Sequence, residues 1–189
     1  MPRPTDQELL FQPNLSINGS ITPDTVGFVL GRLEDIRSNQ APLIAEINTD
    51  GGDADAARRI ALEVRLFQRH SGQEAYCVGK SNVYSAGVTI LAAFTRTNRF
   101  LTDDAILLIH ERRLDTTLQL DGPIRSCMQI VREELALLET AQKLELAGFE
   151  ELVEGSDLTV ERLYKMATTN CYMVAKDAFK HGLIGGVLA

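Results

Sequence analysis

The chain switches repeatedly between two hydrophobic periods. Leu15-Ser-Ile-Asn-Gly19 alternates apolar and polar residues and stops on glycine, which predicts a short strand and turn. Behind it, Thr22-Pro23-Asp24 supplies a capping hydroxyl, a first-turn proline and a first-turn acid. Apolar residues then recur at Val26, Val29, Leu30, Leu33 and Ile36, the spacing of an amphipathic helix. Pro42 restarts the chain in an extended run, Leu43 to Ile47, ending in Asn48-Thr-Asp-Gly-Gly52. A second helical pattern follows at Ala57, Ile60, Ala61, Val64 and Phe67, and Glu74 to Val78 is again strand-like. Strand, helix, strand, helix, strand in this order predicts βαβ units around a mainly parallel sheet, an α/β fold.

After a polar turn from Gly79, Ser85 opens an almost wholly apolar helical segment that runs to Phe94. Two short strands are expected at Arg99 to Leu101 and Ala105 to Ile109, the second ending at His110. The stretch from Glu111 to Asp121 alternates at Leu114, Thr116, Leu118 and Leu120, which suits an extended, hairpin-like excursion closed by Gly122-Pro123. The longest helical pattern runs from Ile124 to Ala147, with apolar positions at Ile124, Cys127, Met128, Val131, Leu135, Leu138, Ala141 and Leu144. That is more helix than a small sheet can cover, so part of its face is expected to pack on another subunit. Gly148 and Gly155 punctuate the stretch behind it. Thr159 caps a short helix, residues 168–173 form an extended link, Val174 to His181 is a last helix stopped by Gly182, and Leu183-Ile184 is a terminal strand fragment. Residues 1–10 are read as a flexible N-terminal arm and 11–189 as a single domain without internal repeats.

Composition narrows the classes of function. A chain of 189 residues with 44% hydrophobic and 24% charged residues suits one soluble domain with a sizeable core. The net charge of −7 argues against nucleic acid as a partner. Cys77, Cys127 and Cys171 show neither a disulfide framework nor metal-ligand spacing, so no metal is expected. Met1 to Glu8 lack the apolar core of a leader, and no run is long enough to span a membrane, so a cytoplasmic location and no membrane partner are expected.

In a parallel sheet the loops behind the strand C-termini gather at one end, where ligands bind. Three such loops carry chemistry: Asn48 to Gly52, Lys80 to Ser85, and His110. Taken singly, Ser85 reads as an N-cap, Gly51-Gly52 as a turn and His110 as a strand-end histidine. Together they supply a nucleophile, a general base and a backbone able to present N–H groups to an oxyanion.

These residues resemble a known family. Asn48-Thr-Asp-Gly-Gly52, Tyr84-Ser85-Ala86-Gly87, Ile109-His110 and Met173-Val-Ala-Lys-Asp-Ala178 with His181-Gly-Leu-Ile184 are similar, in order and rough spacing, to motifs of the proteolytic subunit of the Clp protease. The resemblance spans about Leu15 to Val187. It implies the ClpP/crotonase fold of stacked βαβ units with a long handle helix, the handle covering about residues 111–147. It also implies two heptameric rings forming a tetradecamer, with active sites facing a chamber fed by an ATP-driven AAA+ Clp unfoldase. Carried over position by position, Ser85 is the nucleophile, His110 the general base, and the amides of Gly52 and Ala86 the oxyanion hole. No cofactor is implied in this chain, ATP entering only through the partner.

The third catalytic position departs from the pattern, because counting back from Met173 places the family's aspartate on Asn170. Asparagine can hold an imidazole but brings no charge to an imidazolium. In a trypsin-type site the Asp-to-Asn change lowers turnover by about 10⁴, which predicts a slow peptidase here. Another acid, such as Asp157, could reach His110 by an altered path. Asp50 replaces the proline usual before the two glycines, and Glu111-Arg112 replaces Gln-Pro. The leading expectation is a serine endopeptidase acting on unfolded polypeptides or peptides. The alternatives are a weakly active or non-catalytic ring subunit beside a ClpP paralogue, and a crotonase-like acyl-CoA enzyme, for which no suitable pair of carboxylates is visible in these loops.

Overall fold

Strands β1 (Leu15–Asn18), β2 (Leu43–Thr49), β3 (Ala75–Tyr84), β4 (Arg99–Thr102) and β7 (Gly186–Leu188) lie side by side in that order, all parallel, in the computed structural model, which describes residues 3–189. β5 (Ile106–Ile109) joins the end of β3 in parallel, and β6 (Cys171–Val174) adds to β5 antiparallel. The crossover helices α2 (Pro23–Ser38) and α3 (Ala54–His70) begin where the sequence signals them. Thr22 caps the first, and Asp53 caps the second by accepting the N–H groups of Asp55 and Ala56 at 2.8 and 2.9 Å.

The period-2 alternation of the strands sorts two cores. Leu43, Ala45, Ile47, Ala75 and Cys77 face the main core with the apolar sides of α2, α3 and α4 (Ala86–Ala92). Ile44, Tyr76, Val78 and Phe100 face the opposite side, where Leu9 covers them. Leu9 belongs to α1 (Asp6–Phe11), which carries a capping box between Thr5 and Glu8. Much of the stretch read as an N-terminal arm is therefore a docked helix, because Leu9 closes a face the sheet leaves open; Met1 and Pro2 lie outside the described residues.

β3 does two jobs. Cys77 to Gly79 pair with β4, whereas Asn82 to Tyr84 pair with β5, and the register with β2 slips between Ile47 and Thr49. Ser81 stands at the bend with φ 51°. The polar turn expected from Gly79 is thus continuous strand, redirected rather than ended, and it delivers Ser85 to the rim of the second sub-sheet.

Arg99 is buried and has no carboxylate partner among the described residues. Its guanidinium donates to the carbonyls of Ala92, Phe94, Glu151, Leu152 and Leu183, the first at 2.7 Å and the last at 3.4 Å. It thereby joins the C-terminal end of α4, the last turn of α5 (Ile124–Val153) and the link to β7. Burial pulls its pKa down to about 10, so it remains charged at neutral pH. α5 runs straight through Gly148 to bury Phe149, Leu152 and Val153, so the helix outlasts its expected end at Ala147. The rest of its apolar face is open, with Ile124, Met128, Val131, Leu135 and Leu138 exposed, and residues 111–121 before it form no strand. α6 (Val160–Ala167) and α7 (Ala175–Lys180) close the C-terminal part. Leu183 and Ile184 are buried loop residues, and the last strand starts two residues later.

Candidate active site

The loop behind β2 is held from below by Thr49. This buried hydroxyl accepts the Gly51 N–H at 3.0 Å and donates to the Gly19 carbonyl. Gly51 and Gly52 take φ of 107° and 143°. A Cβ on Gly52 would lie 2.3 Å from the Ile21 carbonyl oxygen, and one on Gly51 would lie 2.9 Å from the Ser85 Cβ. Only glycine therefore lets this loop lie against both the β1–α2 turn and the serine. The Ile21 N–H donates to Gly51 and the Asp53 N–H to Ile21, while the Gly52 N–H has no partner among the described residues.

Ser85 occupies the N-cap position of α4 but does not act as a cap. Its side chain makes no capping hydrogen bond, and its backbone sits at φ 52°, ψ −112°, outside the regions open to an unstrained serine. The Ser85 N–H donates to Leu108 at 2.8 Å, which pins the bend to β5. Ala86 is the first residue of α4, so its N–H has no acceptor within the helix.

His110 follows β5. Its Nδ1 lies 2.6 Å from the Glu111 carbonyl oxygen. A carbonyl only accepts, so Nδ1 carries a proton, and in the neutral imidazole this leaves the lone pair on Nε2, the tautomer a general base needs. The chain behind His110 is tied down twice: the Arg112 N–H donates to Glu145 of α5, and the Arg112 guanidinium pairs with Asp55 at 2.8 Å. That hydrogen bond holds the Asp55 carboxyl below its usual range.

Gly52, Ser85, Ala86 and His110 all border one cavity of about 480 Å³. Asn170 does not border it. Asn170 is exposed, with φ 60°, and its side chain has no hydrogen-bond partner among the described residues. Its backbone is nonetheless close: β5 and β6 pair Ile109 with Cys171, and extending this antiparallel register by one residue sets Asn170 opposite His110. Asp157 is elsewhere, its carboxylate 2.9 Å from His181 Nδ1. Asp50 turns to Asn82, which donates to it at 3.0 Å, and does not reach the cavity.

Several residues at the site carry no motif of their own. Thr49 lies inside the Asn-Thr-Asp-Gly-Gly segment but is identifiable only from the hydrogen bonds that span it. Arg58, Arg65, Arg112 and Arg113 also line the cavity. Their sequence signal is faint, a seven-residue spacing on one helix and an adjacent pair behind the histidine. Among the described residues no cluster of His, Cys, Asp and Glu is arranged to hold a metal ion, and no helix is long and apolar enough to cross a membrane.

Comparison with known proteins bears on the family and the fold. The family model described as Clp protease matches residues 17–189. The chain is 24% identical over 176 residues to the ATP-dependent Clp protease proteolytic subunit of Streptococcus uberis, covering 92% of this chain and 83% of that one. It is 27% identical over 154 residues to the protein of the same name from Lactococcus lactis subsp. lactis, covering 82% and 71%. Among solved structures, an asparagine-to-aspartate mutant of ClpP1 from Listeria monocytogenes superposes with a TM-score of 0.68 at 20% identity, over 92% of this chain and 89% of that one.

Proposed function

The chain belongs to the Clp protease family, and from that premise we propose that it is a serine endopeptidase cleaving unfolded polypeptides or peptides inside an oligomeric chamber. One observation carries the reading: Ser85, strained and released from capping, shares a single cavity with His110, with the Gly52 N–H, which is unpaired among the described residues, and with the first N–H of α4.

In this reading Ser85 Oγ attacks the scissile carbonyl carbon while His110 Nε2 takes its proton. The carbonyl oxygen becomes an oxyanion, and the Gly52 and Ala86 amides donate to it. Collapse breaks the C–N bond, and the imidazolium returns the proton to the leaving amine. Water then attacks the acyl-serine by the same route, giving a carboxylate product and free Ser85. Asn170 is the positional equivalent of the orienting acid, its side-chain amide oxygen being the alternative acceptor to the Glu111 carbonyl that holds Nδ1–H. Neither acceptor carries charge, so the imidazolium is weakly stabilised and turnover is low.

The open apolar face of α5 supports assembly into rings through this helix, with heptameric rings and a tetradecamer as the expected particle. An AAA+ Clp unfoldase and a ClpP paralogue are the proposed protein partners, and a cytoplasmic location goes with them.

The test is labelling with a fluorophosphonate probe alongside hydrolysis of a fluorogenic peptide. Wild type is expected to label and to cleave slowly, while Ser85→Ala does neither and His110→Ala loses cleavage. Intact rings that neither label nor cleave would refute the peptidase reading and leave a ring subunit with a structural role.

A further inference from the structure

We propose that this cavity selects peptides bearing a carboxylate close to the scissile bond, with Arg58 and Arg113 as its specificity-determining residues. The inference deepens the peptidase reading and rests on it for the site, but it concerns recognition and can be measured without turnover.

The chain as a whole is acidic, at −7, yet four arginines converge on the cavity that holds Ser85. None of the acids lining it pairs with Arg58 or Arg113 among the described residues. Asp53 caps α3, Glu145 accepts the Arg112 N–H, and Glu151 pairs with Arg65 at 2.8 Å. Asp55, behind Arg112, is shared: Arg112 holds it at 2.8 Å and Arg58 reaches it only at 3.4 Å. Arg113 forms no ion pair among the described residues. Two guanidiniums therefore border the cavity with most of their donors unused, each able to grip a carboxylate through two parallel N–H groups. Arginine cannot accept a hydrogen bond or lose its charge near neutral pH, so this wall favours anions and disfavours lysine-bearing peptides. The acidic remainder of the chain repels acidic polypeptides at long range, so the selection acts at contact distance.

The carboxylate has two sources, an acidic side chain or a peptide C-terminus, and four labelled peptides of one length separate them. One carries Glu beside the central bond with an amidated end; the second carries Gln with a free acid end. The third carries Gln and the fourth Lys, both amidated. Binding is read by fluorescence anisotropy on the Ser85→Ala protein at low and high salt. The Glu peptide or the free-acid peptide is expected to bind about tenfold tighter than the Gln amide, as one charge-assisted hydrogen-bonded pair supplies, and the Lys peptide weakest. Whichever of the two binds tighter identifies the source. Replacing both residues, Arg58→Gln with Arg113→Gln, is expected to erase the difference between the carboxylate-bearing peptides and the Gln amide; both side chains are exposed, so the fold is not at stake. Equal affinities across all four peptides, including no measurable binding by any, overturn the inference, as does a difference that survives the double variant. Hydrolysis of the Gln amide by wild type tests the peptidase reading separately.

Discussion

Replacing Asn170 by aspartate puts a carboxylate on the residue that continues the β5–β6 register opposite His110. Opposed residues of an antiparallel pair have Cα atoms roughly 4.5–5.5 Å apart, so the new charge stands within a few ångströms of an imidazolium formed there. Two unit charges about 4 Å apart attract by about 1 kcal/mol in water and about 4 kcal/mol at the effective dielectric of a protein surface. Asn170 is exposed, which selects the lower end. A gain of about 1–2 kcal/mol corresponds to about 5- to 30-fold in kcat/KM. It falls well short of the ~10⁴ separating aspartate from asparagine in a trypsin-type site, because part of that loss is a wrong tautomer. Here the Glu111 carbonyl already keeps the proton on Nδ1. The assay is hydrolysis of a fluorogenic peptide by wild type and Asn170→Asp from about pH 5 to about pH 9, at low and high salt. The carboxylate favours the protonated imidazole, so the acid limb of the profile is expected to move to higher pH. The gain shrinks with salt. An unchanged rate and profile, with His110→Ala inactive, would refute the pairing of 170 with 110. A gain near 10⁴ would refute the role given to the Glu111 carbonyl.

Three other perturbations probe the frame of the site. Thr49→Val keeps the shape but leaves the Gly51 N–H and Gly19 carbonyl without their partner; thermal unfolding should show a loss of about 1–3 kcal/mol, and peptide hydrolysis should fall with it because the Gly52 amide loses its support. Gly52→Ala drives a Cβ to 2.3 Å from the Ile21 carbonyl oxygen; if Gly52 is an oxyanion donor, kcat falls by about 10²- to 10³-fold while the fluorophosphonate label on Ser85 is slowed rather than abolished. Burial by itself would raise the Glu46 carboxyl, but hydrogen bonds from Lys80, Ser16 and Asn18 outweigh it and hold Glu46 below its ordinary range. A depressed carboxylate contributes stability that is present above its unfolded pKa and is lost as pH falls through the folded one. Urea unfolding at descending pH, starting from the ordinary glutamate range, should show a fall that is shallower in Glu46→Gln; identical slopes would show that the Lys80 pair is not the linkage.

What the chain discloses without coordinates is what neighbouring residues decide. Thr22-Pro23-Asp24 announces α2 because cap, proline and acid all act within one turn. The face of α3 can be read because Ala57, Ile60, Ala61, Val64 and Phe67 repeat at helical spacing and are the residues that become buried. The features that escape are decided by distant partners. Gly79 to Tyr84 looks like a turn, yet it is strand because β2, β4 and β5 each supply hydrogen bonds to part of it. α1 forms because an apolar sheet face needs Leu9. Gly148 fails to end α5 because Phe149, Leu152 and Val153 gain burial beyond it. At the site, Ser85, His110 and Gly52 are legible as strand-end residues and Ala86 only through the family resemblance, whereas Thr49 and the cavity arginines matter through contacts that no local pattern records.

Arg99 has a consequence for how this chain tolerates mutation. All five of its acceptors are main-chain carbonyls, so none depends on which side chain stands at Ala92, Phe94, Glu151, Leu152 or Leu183. Those five positions are free to drift as far as this interaction is concerned. The same arrangement removes the usual route of repair: a broken side-chain pair can be restored by swapping its partner, but a carbonyl cannot be exchanged. A suppressor screen on Arg99→Leu should therefore return reversion at 99 or general stabilisers elsewhere, and no compensating change at the five contacts.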